Sequence, residues 1–163
     1  MNNTTVSESL NDSPGVLIAP PVIFYLCLGL GGVLELIHPS PVGFEGPLLR
    51  VFAGLIVSGA GFAFMMWAHE QFRKSGANVR TNLPAPVFVT KGAYGVSRNP
   101  MYVGGAFFFA GLGLALGSFW MLASFLPLAL YVRLYVIPKE EAYMERTYPD
   151  EYRSYRRKVR RWL

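Results

Sequence analysis

Charged residues are scarce in this sequence: they make up 15% of its 163 residues, against 52% hydrophobic ones. With a mean hydropathy of +0.31, that balance is too apolar for a soluble domain of this length and predicts a polytopic membrane protein. Cysteine is nearly absent. The single Cys27 sits inside an apolar run, which excludes a disulfide framework and a cysteine-built metal site. The two histidines, His38 and His69, are separated by a candidate span and lack ligand spacing, so no metal is expected. Lys and Arg are missing from the first 49 residues, and without a basic leading segment no secretory signal peptide is expected.

What is present is apolar length. Residues 1–14 are polar and are expected to form a disordered tail ahead of one membrane domain, 15–163. Apolar stretches follow at about 16–37, 47–68, 101–117 and 119–137, and a helix needs about 20 residues to cross the hydrocarbon core. Pro20-Pro21 suits the first turn of a helix. The run from Met101 to Ile137 is too long for one span, and Gly117-Ser118 is the expected break. The predicted fold is therefore all-α: about four transmembrane helices, a cytosolic loop over 69–99, and a cytosolic tail over 138–163 with an amphipathic C-terminal helix.

Only Arg50 and Arg133, among 15 basic residues, fall outside 69–99 and 138–163. The positive-inside rule then places loop, tail and both termini in the cytoplasm. Basic charge beside apolar spans needs only lipid phosphate to explain it, so the bilayer is the expected partner and nucleic acid is not. Gly54 with Ser58, Gly105, Gly111, and Gly113 with Gly117 are small residues that let helix backbones approach closely. In the tail, Tyr148, Tyr152, Tyr155, Val159 and Trp162 recur at steps of four and three, one face of a helix otherwise covered by Arg and Lys. Such a helix is expected along the membrane surface, its aromatics at headgroup depth.

Two polar clusters stand out against this background. The first, Gly92 to Tyr102, ends in Arg98-Asn99-Pro100-Met101-Tyr102 at the start of an apolar stretch. Asn99-Pro100 reads as a helix start, with an N-cap followed by Pro at the first position. The free N–H groups there also suit an anion, which Arg98 could reinforce if it does not reach for lipid phosphate instead. The second cluster is Glu140-Glu141, directly after Pro138-Lys139. Helix-dipole stabilisation explains the pair cheaply, while the functional reading has a carboxylate accepting from ribose hydroxyls or facing a cation. Arg133, inside an apolar run, is costly in lipid and is expected to face a cavity or a partner. Glu35 raises the same question near the outer end of the first span.

Val89-Thr90-Lys91-Gly92-Ala93-Tyr94, then Arg98-Asn99-Pro100-Met101-Tyr102-Val103-Gly104, Glu140-Glu141 and Glu151-Tyr152-Arg153-Ser154-Tyr155 fall in an order that resembles isoprenylcysteine carboxyl methyltransferases and the related phospholipid methyltransferases. The likeness covers roughly residues 75–163, and the terminal Val159-Arg160-Arg161-Trp162-Leu163 is similar too. It implies an integral membrane methyltransferase that uses S-adenosylmethionine. Val87, Phe88, Val89, Tyr94, Arg98, Asn99, Tyr102, Glu140 and Glu141 would hold the cofactor, which enters from the cytosol while a lipophilic acceptor arrives through the bilayer. The family usually has His where this chain has Asn99. Asn can cap and hydrogen-bond, but it cannot take up a proton.

Methyl transfer from a sulfonium needs alignment, desolvation and a deprotonated nucleophile, with no metal. The carboxylate of an isoprenylcysteine-like acceptor is ionised at neutral pH and needs no base, so Arg133 to orient it and Asn99 are the candidate catalytic residues. A phospholipid amine or a small thiol would need deprotonation. Two readings outside this class remain. A nicotinamide-dependent membrane reductase has a comparable C-terminal half but more spans. A non-enzymatic accessory protein gives no reason for Tyr94, Arg98, Asn99 and Glu140 to occur together.

Overall fold

The structure, a computed structural model, describes residues 13–42, 46–76 and 87–163. Most of the expected tail (1–14) and residues 77–86 of the expected loop, with Arg80, Pro84 and Pro86, lie outside the described residues. Apart from one antiparallel bridge between Pro41 and Ser118, every regular element among the described residues is helical.

Helix α1 runs Pro20–Ile37 and starts on its proline pair, where a missing N–H costs nothing. Helix α2, Pro47–Ser75, also starts on proline and ends at Gly76 with φ 75°. It outlasts the expected span (47–68) by two turns. The extension, His69-Glu70-Gln71-Phe72-Arg73-Lys74-Ser75, is polar but helix-forming, and Glu70 pairs with Arg73 and Lys74 three and four residues on. Arg73 and Lys74 also sit in the last turn, where cations suit the helix dipole. A single turn, α3 (Ala93–Val96), leads into α4 (Pro100–Leu116). Gly117, with φ 63°, closes α4, and Ser118 caps α5 (Phe119–Tyr131) by accepting from the Met121 N–H. The chain therefore turns at Gly117-Ser118.

From Phe119 the helix continues without interruption to Thr147, through a π turn (Val132–Val136) into α6 (Ile137–Thr147). Pro138 has no N–H to return to the preceding turn, and the wider turn just upstream, with Ile137 N–H donating to Val132 C=O, makes room for it. Tyr148 breaks the helix and Pro149 starts α7 (Pro149–Lys158).

Among the described residues, three helices are long and apolar enough to cross a membrane: α1, α2 and the composite Phe119–Thr147. Helix α4 has 17 residues, about 25 Å at 1.5 Å per residue, and is a shorter apolar helix beside them. The helices pack in the order α2, α4, α5, α1, and α2 with α4 is the most extensive pair. That pair meets backbone to backbone. A Cβ on Gly61 would overlap the Phe108 N and the Gly104 carbonyl, and one on Gly111 would overlap Ser58 N and the Gly54 carbonyl. Gly54 meets Ala115 in the same way, and the Ser58 hydroxyl donates to the Phe108 carbonyl. Gly105 is not part of this seam, and Gly113 packs instead on Leu122. Between α4, α5 and α1, Phe109, Cys27, Met121, Leu128, Val132 and Ile137 form a buried cluster. Leu26, Leu30, Phe52, Ile56, Leu126 and Leu130 are exposed, as lipid-facing residues of membrane helices are.

The two ends of the bundle differ. At one end, Glu35 accepts from the Ser40 N–H and the Ser118 hydroxyl, Trp120 Nε1 donates to the His38 carbonyl, and Arg50 lies against Gly117. At the other end the start of α1 is tied to the π turn and α6. Tyr131 donates to the Ile18 carbonyl at 2.6 Å, and Lys139 donates to the Gly15 carbonyl at 2.7 Å. The loop 87–99 and the tail gather at this second end.

Candidate functional site

The site is built where α3, the start of α4, α6 and the tail meet. The α3 turn seats the Tyr94 ring on Phe72 of α2, centroids 4.9 Å apart, above the fully buried Ala68 and Ala93. Gly92 precedes it with φ 63°, and a side chain there would strike Gln71. Tyr102, one turn into α4, donates its hydroxyl to Glu140 at 2.8 Å. Glu140 is half-buried, and among the described residues no cation pairs with it. Its charge still reaches Tyr94. Burial first, then the Glu140 carboxylate and Tyr155, hold the Tyr94 phenol well above the usual tyrosine range.

Glu141, on the next residue, faces a different set. Arg98 Nη2 donates to it at 2.9 Å and Arg161 Nε at 3.1 Å, with Arg161 Nη2 on its second oxygen. The Arg98 side chain is only 9% exposed and that of Glu141 15%, so this pair is held away from bulk solvent and is screened little, while Arg161 reaches it from a more exposed position. Arg98 does not reach out to lipid. Its Nη1 donates to the Arg156 and Val159 carbonyls, and its N–H to the Arg160 carbonyl at 2.9 Å.

Asn99 occupies the N-cap position of α4, yet its side chain makes no capping bond. Its amide Nδ2 donates instead to the Arg161 carbonyl at 3.0 Å. The neighbouring Ser97, wholly buried, donates to the same carbonyl and accepts from the Asn99 N–H at 3.0 Å.

The aromatic face of α7 turns into the protein, which corrects the expectation of aromatics at headgroup depth. Tyr152 and Tyr155 are buried, and the Tyr155 hydroxyl donates to the Tyr94 carbonyl at 2.6 Å. Phe88 supplies their cover. Its ring stacks on Tyr148 with centroids 5.4 Å apart and meets Tyr155 edge-on at 5.4 Å. The basic residues Arg153, Arg156 and Arg157 remain outside. Burial raises the Tyr152 phenol to about 12, with Glu141 adding to the rise and Arg98, Arg156 and Arg161 opposing it. Burial raises Tyr155 too, against the Arg98 charge. Two buried donors here lack a partner among the described residues: Arg98 Nε and the Tyr152 hydroxyl.

Two recesses flank the group. Val87, Phe88 and Val89 line one of about 350 Å³ with Gln71, Lys74 and Lys91. An open apolar groove of about 280 Å³ lies between α2 and α4, lined by Gly61, Phe64, Val96, Val103, Phe107 and Leu163. The structure thus brings Phe88, Tyr94, Arg98, Asn99, Tyr102, Glu140 and Glu141 to one end of the bundle. Arg133 stands apart: it is exposed on the π turn and has no polar partner among the described residues. Ser97, Tyr152, Tyr155 and Arg161 belong to the group but were not legible as site residues. Tyr152 and Tyr155 carried two signals, the periodicity of the tail, which fits a membrane-bound face equally well, and the Glu151-Tyr152-Arg153-Ser154-Tyr155 motif; Arg161 lay in the family-like ending, and Ser97 carried no signal of its own. Among the described residues, no three His, Cys, Asp or Glu side chains could hold a metal.

The sequence matches the phospholipid methyltransferase family over residues 49–151, more than half of the chain. A Haemophilus influenzae protein described as uncharacterized is 50% identical over 34 residues, 21% of this chain and 54% of that protein. The chain thus spans about half the length of that curated relative. No solved structure matches.

Proposed function

We propose, from the premise that this chain belongs to the phospholipid methyltransferase family, that it moves a methyl group from S-adenosylmethionine to a lipophilic acceptor at the loop-and-tail end of the bundle. Membership makes it a membrane methyltransferase; the cofactor, the acceptor and the residue roles are our reading. The observation that carries it is Glu140, a half-buried carboxylate with a Tyr102 hydroxyl and no cation of its own.

The residues present fit the cofactor. S-adenosylmethionine is a sulfonium with an ammonium, a carboxylate and two ribose hydroxyls. Glu140 has acceptor capacity left for hydroxyls or for positive charge. The unpartnered Arg98 Nε and Tyr152 hydroxyl are buried donors that a carboxylate would satisfy. Tyr94 and Phe88 offer aromatic faces, and Val87 and Val89 an apolar edge. When bound, the cofactor supplies an electrophilic methyl on a positively charged sulfur. The protein's part is to orient and to exclude water. It does so with a Tyr94–Tyr102–Glu140 set fixed on three helices, beside an open apolar groove between α2 and α4.

For the acceptor we favour the carboxylate of an isoprenylcysteine-like molecule, which is already ionised and needs no base. Arg133, seven residues before Glu140 and so about 10 Å along the helix, is the cation available to it on the membrane side. The family description favours a second reading, a phospholipid amine, which must first lose a proton. The basic loop and tail lie on the cytosolic side in this reading, by the positive-inside rule.

Titrating the detergent-solubilised protein with S-adenosylmethionine, and separately with NADPH, tests the proposal. We expect binding of the first alone, weakened about tenfold or more in Glu140→Gln through loss of a charge-assisted contact. Binding of NADPH alone would replace this reading with the reductase one. A screen of a prenylcysteine, a phospholipid amine and a small thiol then identifies the acceptor.

A further inference from the structure

We infer that Asn99 is a positioning residue whose amide N–H fastens the chain segment 156–161 across the start of α4, and that this strap fixes Arg98 and Glu141 for the cofactor. The inference rests on the cofactor reading above for its last step only. The strap itself is seen in the hydrogen bonds between residues 97–99 and 156–161. Four donors of residues 97–99 make five hydrogen bonds to it: Ser97 Oγ and Asn99 Nδ2 to the Arg161 carbonyl, Arg98 N–H to the Arg160 carbonyl, and Arg98 Nη1 to both the Arg156 and Val159 carbonyls. Every acceptor is a main-chain carbonyl. The strap then returns the Arg161 guanidinium to Glu141, which also holds Arg98.

A carbonyl only accepts, so whatever occupies position 99 must donate. Asn99 is 8% exposed, and water cannot readily take over a bond lost there. An amide nitrogen cannot accept a proton, so a role in proton transfer is foreign to the contact that is seen. The donor requirement predicts a definite order of substitutions. Histidine keeps an N–H for the carbonyl whether neutral or protonated. Alanine removes the donor. Ionised aspartate sets two acceptor oxygens against the Arg161 carbonyl.

Amide hydrogen exchange on the solubilised full chain without cofactor reads the strap directly. The Arg98 N–H is the probe, because its partner is the Arg160 carbonyl. We expect exchange at Arg98 to speed up about tenfold or more in Asn99→Asp and Asn99→Ala, the kinetic equivalent of one lost hydrogen bond. Asn99→His should stay within about threefold of the wild type. Amides of α2 around Ser58 and Gly61 report whether a variant is still folded, and Asn99→Ala serves where Asn99→Asp is not.

Titration with S-adenosylmethionine follows the same order, and in Asn99→His the pH dependence of its affinity stays that of the wild type through about pH 6.5, the ordinary histidine value. Unchanged Arg98 exchange in both Asn99→Asp and Asn99→Ala would overturn the strap. An ionisation near that pH that governs cofactor affinity in Asn99→His and not in the wild type would overturn the positioning role. Failure of the wild type to bind S-adenosylmethionine would instead remove the proposed function, while the exchange arm still decides the strap.

Discussion

Neighbouring residues in this protein have opposite fates, and the two glutamates show it best. Glu141 is spent on two arginines, whereas Glu140 receives one neutral hydroxyl. Sequence could offer both as candidates but could not separate them, because the difference depends on which helix each one meets. The same holds for two tyrosines of α7. Tyr155 donates to the Tyr94 carbonyl, while the Tyr152 hydroxyl is buried without a partner. Tyr155→Phe should cost about 1 kcal/mol of stability, the usual net worth of such a bond. Tyr152→Phe removes a buried hydroxyl that bonds to nothing, so the cofactor-free protein should melt at or above the wild-type temperature. Added S-adenosylmethionine should then stabilise that variant less than the wild type. Thermal melts of the two variants with and without cofactor check this, and a large loss of stability in Tyr152→Phe alone would contradict the assignment.

At the scale of elements, Pro20-Pro21, Asn99-Pro100 and Gly117-Ser118 marked helix ends that the structure keeps. These are local rules of backbone chemistry and need no partner to operate. The two-turn extension of α2 was missed because its polar residues resemble a loop, although they are good helix formers. The π turn was missed for another reason. Its cause, Pro138, is visible in the sequence, but whether a proline kinks, ends or merely widens a helix is decided by what surrounds it. The glycines divide similarly. Gly54, Ser58 and Gly111 fell in the helix seam as small-residue spacing suggests, whereas Gly61 and Gly104 belong to it without having been singled out. Gly61→Ala should cost about 1–3 kcal/mol, the range for overpacking a tight contact, since its Cβ would meet backbone on α4. Gly105→Ala would meet only the Met65 sulfur, at 4.0 Å, an ordinary contact, and should be neutral or slightly stabilising by helix propensity. Unfolding of both variants in mixed micelles measures the contrast, and equal losses would mean that the seam is not where α2 and α4 are held.

For the whole molecule, the membrane class and the number of apolar segments followed from composition, and the family from motif order. The closure of one end by the tail did not, because it joins residues some 60 positions apart in sequence through main-chain carbonyls, and carbonyls carry no side-chain signature. That end should also be the alkaline weak point. Tyr152 titrates at about 12 when folded, against about 10 when unfolded, and Tyr94 and Tyr155 are raised as well. Groups raised in this direction contribute stability that is complete below the unfolded value and is lost as pH climbs through the folded one. Melting temperature should therefore change little on this account up to about pH 10 and fall toward about pH 12, with a shallower fall in Tyr152→Phe; an identical alkaline slope in that variant would refute the assignment. The packing order α2, α4, α5, α1 has a further consequence, for the making of the protein. Helix α1 leaves the ribosome well before α5, the helix it pairs with, and Lys139 ties down its leading end. At a synthesis rate of about 5–20 residues per second, α1 waits on the order of ten seconds for that partner, with Glu35 still lacking the Ser118 hydroxyl. During that interval lipid and the insertion machinery alone must keep it in place.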